Sequence, residues 1–275
     1  MAIIDIKEAT IKMFDGTLGV LTLDSTAPEA DLLFTAKSTH IGTDKIGITF
    51  TDPAANDALL IVTVDGREID VSLATGVAGA ITSIASEIQA GIVASPAANA
   101  LVTVTFAGGD DGTGIVDAFV KATLDGQKSI TVKIGEGNFT YNEVKNRVFT
   151  LDRGNLDTVK NDDDEPMGIS MDATWEWITA ETGATPTLED VLKKRGEAAA
   201  WVSTAADDCQ PYCVDIELYN APSCSVTDQE LLTFEEYYYE TLDHDLREGT
   251  ISTAGRCNRL EAVARRVATA DIIDA

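Results

Sequence analysis

Apolar and polar residues alternate with a period of two along most of this chain, so strands dominate the expected structure. Residues 45–50 alternate, and 58–64 and 67–73 flank Asp65-Gly66, a strong hairpin signal. The period then changes. Ile81, Ile84, Ala85, Ile88 and Ile92 recur at helical spacing, which predicts a helix with one apolar face, followed by Pro96. Alternation returns at 101–106, and a glycine-rich loop at 108–114 closes a compact ββ(β)αβ arrangement.

The flanks of that segment also read as strands, at 4–14 and 129–134. If these two pair as a hairpin, everything between them is an insertion with adjacent entry and exit points. The expected organisation is a discontinuous core, 1–26 with 127–275, and an inserted domain, 27–126. Further strands are predicted at 139–151, 168–177, 199–203, 211–219, 231–242 and 250–257. One short helix opens at Thr187, whose capping partner is Asp190, and ends at Gly196. Residues 261–275 read as a short helix or an arm. The fold class is therefore mainly β: an antiparallel β-sandwich or barrel core with one short helix, plus a small inserted α/β domain.

Charge changes the picture. The chain has 46 acidic and 20 basic side chains, a net of −26, yet 44% of its residues are hydrophobic. A folded chain with this much like charge is destabilised by self-repulsion. Stable nucleic-acid binding is excluded, because phosphates are repelled. Nucleic acid that must pass without adhering is compatible. Residues 31–127 hold 12 acidic and 4 basic side chains, a net of −8, leaving −18 for the remainder. On strand 211–219, Asp215 and Glu217 alternate with Tyr212, Val214, Ile216 and Leu218, and the acidic, aromatic strand 231–242 holds Glu235 and Glu240. These four carboxylates are expected on a water-facing sheet surface.

Catalytic signals are missing. There is no phosphate-binding glycine loop and no G-x-S-x-G elbow. With only His40 and His244, the segment Asp243-His244-Asp245 reads as a solvated loop. Neither cofactor nor metal is expected. Cys209, Cys213, Cys224 and Cys257 lack zinc-knuckle spacing and read as partly buried thiols, with a disulfide formed after release from the cell left open. Asp110 and Asp111 in the glycine loop invite a calcium reading, but a solvated turn fits better. The acidic run 162–165 reads as a solvated loop, and the sequon at Asn138 carries no meaning without secretion. No apolar run of about 18 residues predicts a membrane span. The N-terminal residues lack a signal-peptide pattern, so folding in a cytoplasm is expected.

One resemblance covers about 175 residues in two pieces around the insertion. Its text is Ile-Gly-Glu-Gly-Asn-Phe-Thr-Tyr (134–141), Leu-Asp-Arg-Gly-Asn-Leu-Asp-Thr-Val (151–159), Glu-Pro-Met (165–167) and Thr-Trp-Glu-Trp (174–177). It continues with Leu-Lys-Lys-Arg-Gly-Glu-Ala-Ala-Ala-Trp (192–201) and Asp-Asp-Cys-Gln-Pro-Tyr-Cys-Val-Asp-Ile (207–216). It closes with Leu-Asp-His-Asp-Leu-Arg-Glu-Gly-Thr-Ile-Ser (242–252) and Gly-Arg-Cys-Asn (255–258). Ile-Lys-Glu-Ala-Thr-Ile-Lys (6–12) and Phe-Asp-Gly-Thr (14–17) fit the first strand. This text resembles the major tail tube protein of long, non-contractile-tailed bacteriophages. Val-Ser-Leu-Ala-Thr (71–75) and Gly-Gly-Asp-Asp-Gly-Thr-Gly (108–114) resemble a small domain of phage structural proteins. The inserted domain departs from typical, shorter tube proteins.

The resemblance implies a structural, non-enzymatic virion protein assembled in the bacterial cytoplasm. It implies hexameric rings stacked into a tube, with tape-measure and tail-terminator proteins as further partners and no membrane. DNA would cross an acidic lumen during ejection, with Asp215, Glu217, Glu235 and Glu240 facing the channel and the insertion decorating the outside. Two other readings stay open: a host-surface or glycan-binding adhesion module, and the tube protein of a bacterial secretion machine. Phe34, Phe50, Phe106 and Phe119 are expected in the core of the insertion rather than on a sugar platform.

Overall fold

The computed structural model describes residues 9–37, 45–134, 138–152, 155–175, 178–205, 207, 209–220 and 229–267. The described chain falls into two compact units: 9–16 with 128–267, and 17–127. The inserted unit begins earlier than the alternation pattern suggested. Its β2 (Val20–Leu23) follows β1 (Ala9–Phe14) of the first unit and pairs with β3 (Leu32–Ala36), while Leu21 and Leu23 pack on the insertion's own core. With this boundary the insertion holds 14 acidic and 4 basic side chains, a net of −10, leaving −16 for the rest.

In the inserted unit β4 (Gly47–Thr51), β5 (Ile61–Asp65) and β6 (Glu68–Ser72) are followed by α1 (Ala85–Ala94), α2 (Pro96–Leu101), β7 (Val102–Phe106) and β8 (Phe119–Thr123). Two sheets form, β2-β3-β7 and β5-β6-β4-β8, with β4 and β6 parallel. β5 and β6 make the hairpin expected at Asp65-Gly66, where Gly66 takes φ 59°. The helical reading needs correction at both ends. Ile81 and Ile84 precede α1, whose Ile88 and Ile92 are buried. Pro96 does not merely follow the helix; it opens α2, with the Ser95 hydroxyl accepting from Ala98 N. Phe50 packs between Phe34 and Phe119 at 6.2 and 4.5 Å. Burial of side chains such as Phe34 and Phe50 contributes about 1.5–3 kcal/mol each.

The first unit resumes with β9 (Ser129–Val132), which pairs with β1 from Phe14↔Ser129 to Ile11↔Val132. The crossing point is stitched by buried Asp15. Its N–H donates to Lys128 O at 3.0 Å, and its carboxylate accepts from Lys128 N (2.9 Å) and Val202 N (3.3 Å). Gly16 donates to Val202 O, and a Cβ there would overlap the Ser203 carbonyl. Then come β10 (Phe139–Asn142), β11 (Arg147–Asp152), β12 (Asn155–Asn161), β13 (Gly168–Thr174), α3 (Leu188–Lys193), β14 (Val214–Asn220), β15 (Gln229–Asp245), β16 (Thr250–Cys257) and β17 (Val263–Val267). The antiparallel order is β10-β13-β16-β15-β14-β1-β9, with β17 also on β15. Lys133 O accepts from Thr174 N and Asn138 O from Asp172 N, both at 2.8 Å. Residues 133 and 138, just after β9 and just before β10, thus both bond to β13, and the sheet curls back on itself like a barrel. Ile11, Met13, Ile130, Met171, Ile216 and Phe234 fill its interior.

Several expected elements change. The strand expected at 139–151 breaks into β10 and β11. The apolar run 199–203 is not a strand; it follows a 3-10 turn at Gly196–Ala198 and buries Trp201. Residues 263–267 form β17 rather than a helix, and 268–275 lie outside the described residues, as do His40, Trp177 and Cys224.

Candidate functional site

Of the four carboxylates expected in water, two are not there. Asp215 and Glu217 on β14 are only 2% and 5% exposed, so they are corrected to buried residues. Period-two alternation marks two faces of a strand but does not say whether the second is covered. In register, Phe14 and Lys12 of β1 stand opposite Asp215 and Glu217. Asp215 instead serves a β-bulge. The register slips between Val214 and Ile216, so Glu235 and Glu236 of β15 together oppose it. Glu236 adopts φ 58°, and its N–H donates to Asp215 Oδ1 at 2.9 Å. Arg259 bonds both Glu235 and Glu236 at 2.9 Å, and Asn258 Nδ2 donates to Glu236. Glu235 is thus neutralised within a structural knot. Glu240 alone is open to solvent, beside Arg256 at 3.3 Å.

A more extensive acidic surface lies on the solvent side of β10, β13, β16 and β15. Pairing aligns Thr140, Ser170, Ala254 and Thr241 in one row. Asp172, Ser252 and Asp243 make the next, and Thr174, Thr250 and Asp245 the last. Ile169, Met171 and Ala173 point the other way, into the core. Asp243, Asp245 and Glu240 are exposed, Asp172 is half-buried, and Ser252 Oγ donates to Asp172 at 2.6 Å. These rows hold three carboxylates, and a fourth, Glu240, meets the Arg256 guanidinium just beyond the first row. Asp172 and Asp243 sit two strands apart, about 10 Å, comparable to the Debye length of about 8 Å. Their fields therefore add. The rest of these three rows is hydroxyls and one alanine, and the row of Arg256 adds Tyr238, Gly168 and Asn142. Reading 243–245 as a loop concealed this site: the segment is the end of β15, paired with β16.

His244 points to the opposite side from its two aspartates. Its ring meets Trp175 edge-on at 5.3 Å, and Nε2 lies 3.0 Å from Glu189 on α3. Glu189, 4% exposed, also pairs with Lys193 (2.6 Å) and Arg195 (2.7 Å). Burial pushes its carboxyl pKa up, but hydrogen bonds from Lys193 and His244 and the Arg195 charge outweigh that and hold it below the usual range. The cluster ties α3 to β15. Thr187 caps α3 reciprocally with Asp190, as its sequence predicts.

The thiols differ in setting. Cys209 is exposed; Cys213 and Cys257 are buried. Burial pushes the Cys213 thiol up to about 11 and the Cys257 thiol well above the ordinary range. Asp110 and Asp111 are engaged by their own surroundings, accepting from Asp31 N and from Thr113. Among the described residues no cluster of three or more His, Cys, Asp or Glu side chains is arranged to hold a metal, and no helix is long and apolar enough to cross a membrane.

One further surface stands out. β11 and β12 pair only with each other among the described strands. Phe149, Leu151 and Val159 share one face of this hairpin and are 61%, 62% and 50% exposed. A lone two-stranded ribbon is marginal in water, and a contiguous apolar patch of this kind marks an interaction surface. No family model, curated protein or solved structure matches this chain.

Proposed function

We propose that this chain is a structural, non-catalytic subunit that assembles into rings and stacks them into the tail tube of a long, non-contractile-tailed phage. The observation that carries the reading is the acidic sheet face, with Asp172, Glu240, Asp243 and Asp245 against Arg256. Such a face carries more carboxylates than cations and repels phosphate, which suits a channel wall that DNA must slide past. These four carboxylates replace the earlier set as candidate lumen residues; Glu240 belongs to both.

Two further features support the reading. The curled antiparallel sheet presents that face without exposing its core, and the apolar hairpin offers a contact for other copies. The resemblance of residues 134–266 to tail tube proteins supplies the hexameric ring, the tape-measure and terminator partners and the virion location as parts of the proposal. The test is negative-stain microscopy of the purified protein. Tubes or stacked rings with a central channel support the proposal; particles that stay monomeric at all concentrations contradict it.

A further inference from the structure

We propose that a small cavity at the seam of the sheet holds an ordered water, which accepts from Trp175 Nε1 and donates to the Glu189 carboxylate and Thr131 O. The cavity has a volume of about 50 Å³. Residues 130–133, 173–175 and 186–189 line it. It therefore lies where β9 approaches the end of β13 and the start of α3 packs beside both.

Trp175 creates the demand. Its indole Nε1 is buried and has no hydrogen-bond partner among the described residues. An indole N–H only donates, and a buried donor without an acceptor is rare and unfavourable. The residue is held in place, since its backbone N–H donates to Gly249 O at 2.9 Å and its ring meets His244 edge-on. Two acceptors line the same cavity. Glu189 is buried, and the lowered pKa of its carboxyl keeps it ionised at neutral pH. A carboxylate has about four acceptor positions; Lys193, Arg195 and His244 engage three. The second acceptor follows from strand geometry. Lys133 O crosses the seam to Thr174 N at 2.8 Å. Carbonyls two residues apart in an extended chain point the same way, so Thr131 O points into the seam as well. Size and polarity then select water. The cavity's volume of about 50 Å³ exceeds the roughly 10–15 Å³ that one water needs, and falls far below the about 300 Å³ of the smaller ligand pockets. A buried water typically makes about three hydrogen bonds, the number offered here.

Crystallography of the full chain tests the site without any substitution. The expected result is a water about 2.7–3.2 Å from Trp175 Nε1 and at a similar distance from Glu189 or Thr131 O. In solution, the indole proton signal that Trp175→Phe removes should show a cross-relaxation peak to water with the sign of long-lived binding. A dry cavity in the crystal overturns the proposal. So does an indole nitrogen that bonds directly to a side chain or turns to bulk solvent, or an indole signal without the water peak.

Discussion

Arg259→Ala should expose how much the first unit depends on its β15 bulge. Glu236 is buried and sits at φ 58°, a backbone state that costs a non-glycine residue roughly 1–2 kcal/mol. Three side chains hold it there, Asp215 on its N–H, Asn258 on one carboxylate oxygen and Arg259 on the other, and its carbonyl accepts from Asn258 N. Breaking a buried ion pair by deleting one partner costs about 3–5 kcal/mol. The Arg259 side chain is 46% exposed and Asn258 remains, so the expected loss is smaller, about 2–3 kcal/mol. For a unit of this size that lowers the melting temperature by roughly 4–10 °C. Tryptophan fluorescence isolates the transition, because Trp175, Trp177 and Trp201 all belong to the first unit. Glu236→Gly supplies the control. It relieves the backbone and removes the carboxylate that needs a cation, so in that background Arg259→Ala should cost under about 1 kcal/mol. An equal cost in both backgrounds, or a loss below about 0.5 kcal/mol in the wild type, would refute the knot.

The remaining expectations can be checked separately. The Glu189 carboxyl has its pKa lowered in the fold from an ordinary 4.5, so its stabilisation is present above that value and lost as pH falls through the lower folded value. Glu189→Gln should flatten this acid limb in urea titrations below about pH 5; an unchanged limb would count against the cluster. Cys213 and Cys257 should react with a soluble maleimide at pH 8 about a hundredfold more slowly than Cys209, because burial keeps them protonated; comparable rates would show that the barrel opens readily. Replacing 17–127 by a two-residue Asn-Gly turn should leave the first unit folded, with a melting temperature within a few degrees of the parent, since Asp15 and Lys128 already pair. Loss of cooperative unfolding would mean the insertion supports that unit.

The legible parts of the fold were those written in local pattern. Asp65-Gly66 announced its hairpin, Thr187 and Asp190 their cap, and the flanking strands their pairing across the insertion, seen from Ile11↔Val132 to Phe14↔Ser129, while residues 4–8 of the expected first strand lie outside the described residues. The Ser95-Pro96 start of α2 is also written there, but Pro96 reads equally as a helix stop. What failed were features decided by tertiary cover. Asp215 and Glu217 alternate as surface residues do, yet their face is covered. The bulge at Glu236 depends on Asp215, 21 positions away, and nothing local marks a glutamate for a left-handed backbone. Asp243 and Asp245 looked like loop residues beside a histidine; only pairing with β16 places them on an acidic face with Asp172.

The central claim is tested most directly by cryo-electron microscopy of the assembled protein. The account predicts stacked rings around a channel whose wall carries Asp172, Glu240, Asp243 and Asp245. An assembly in which the β13–β16–β15 surface faces outward, or is buried between subunits, would contradict it.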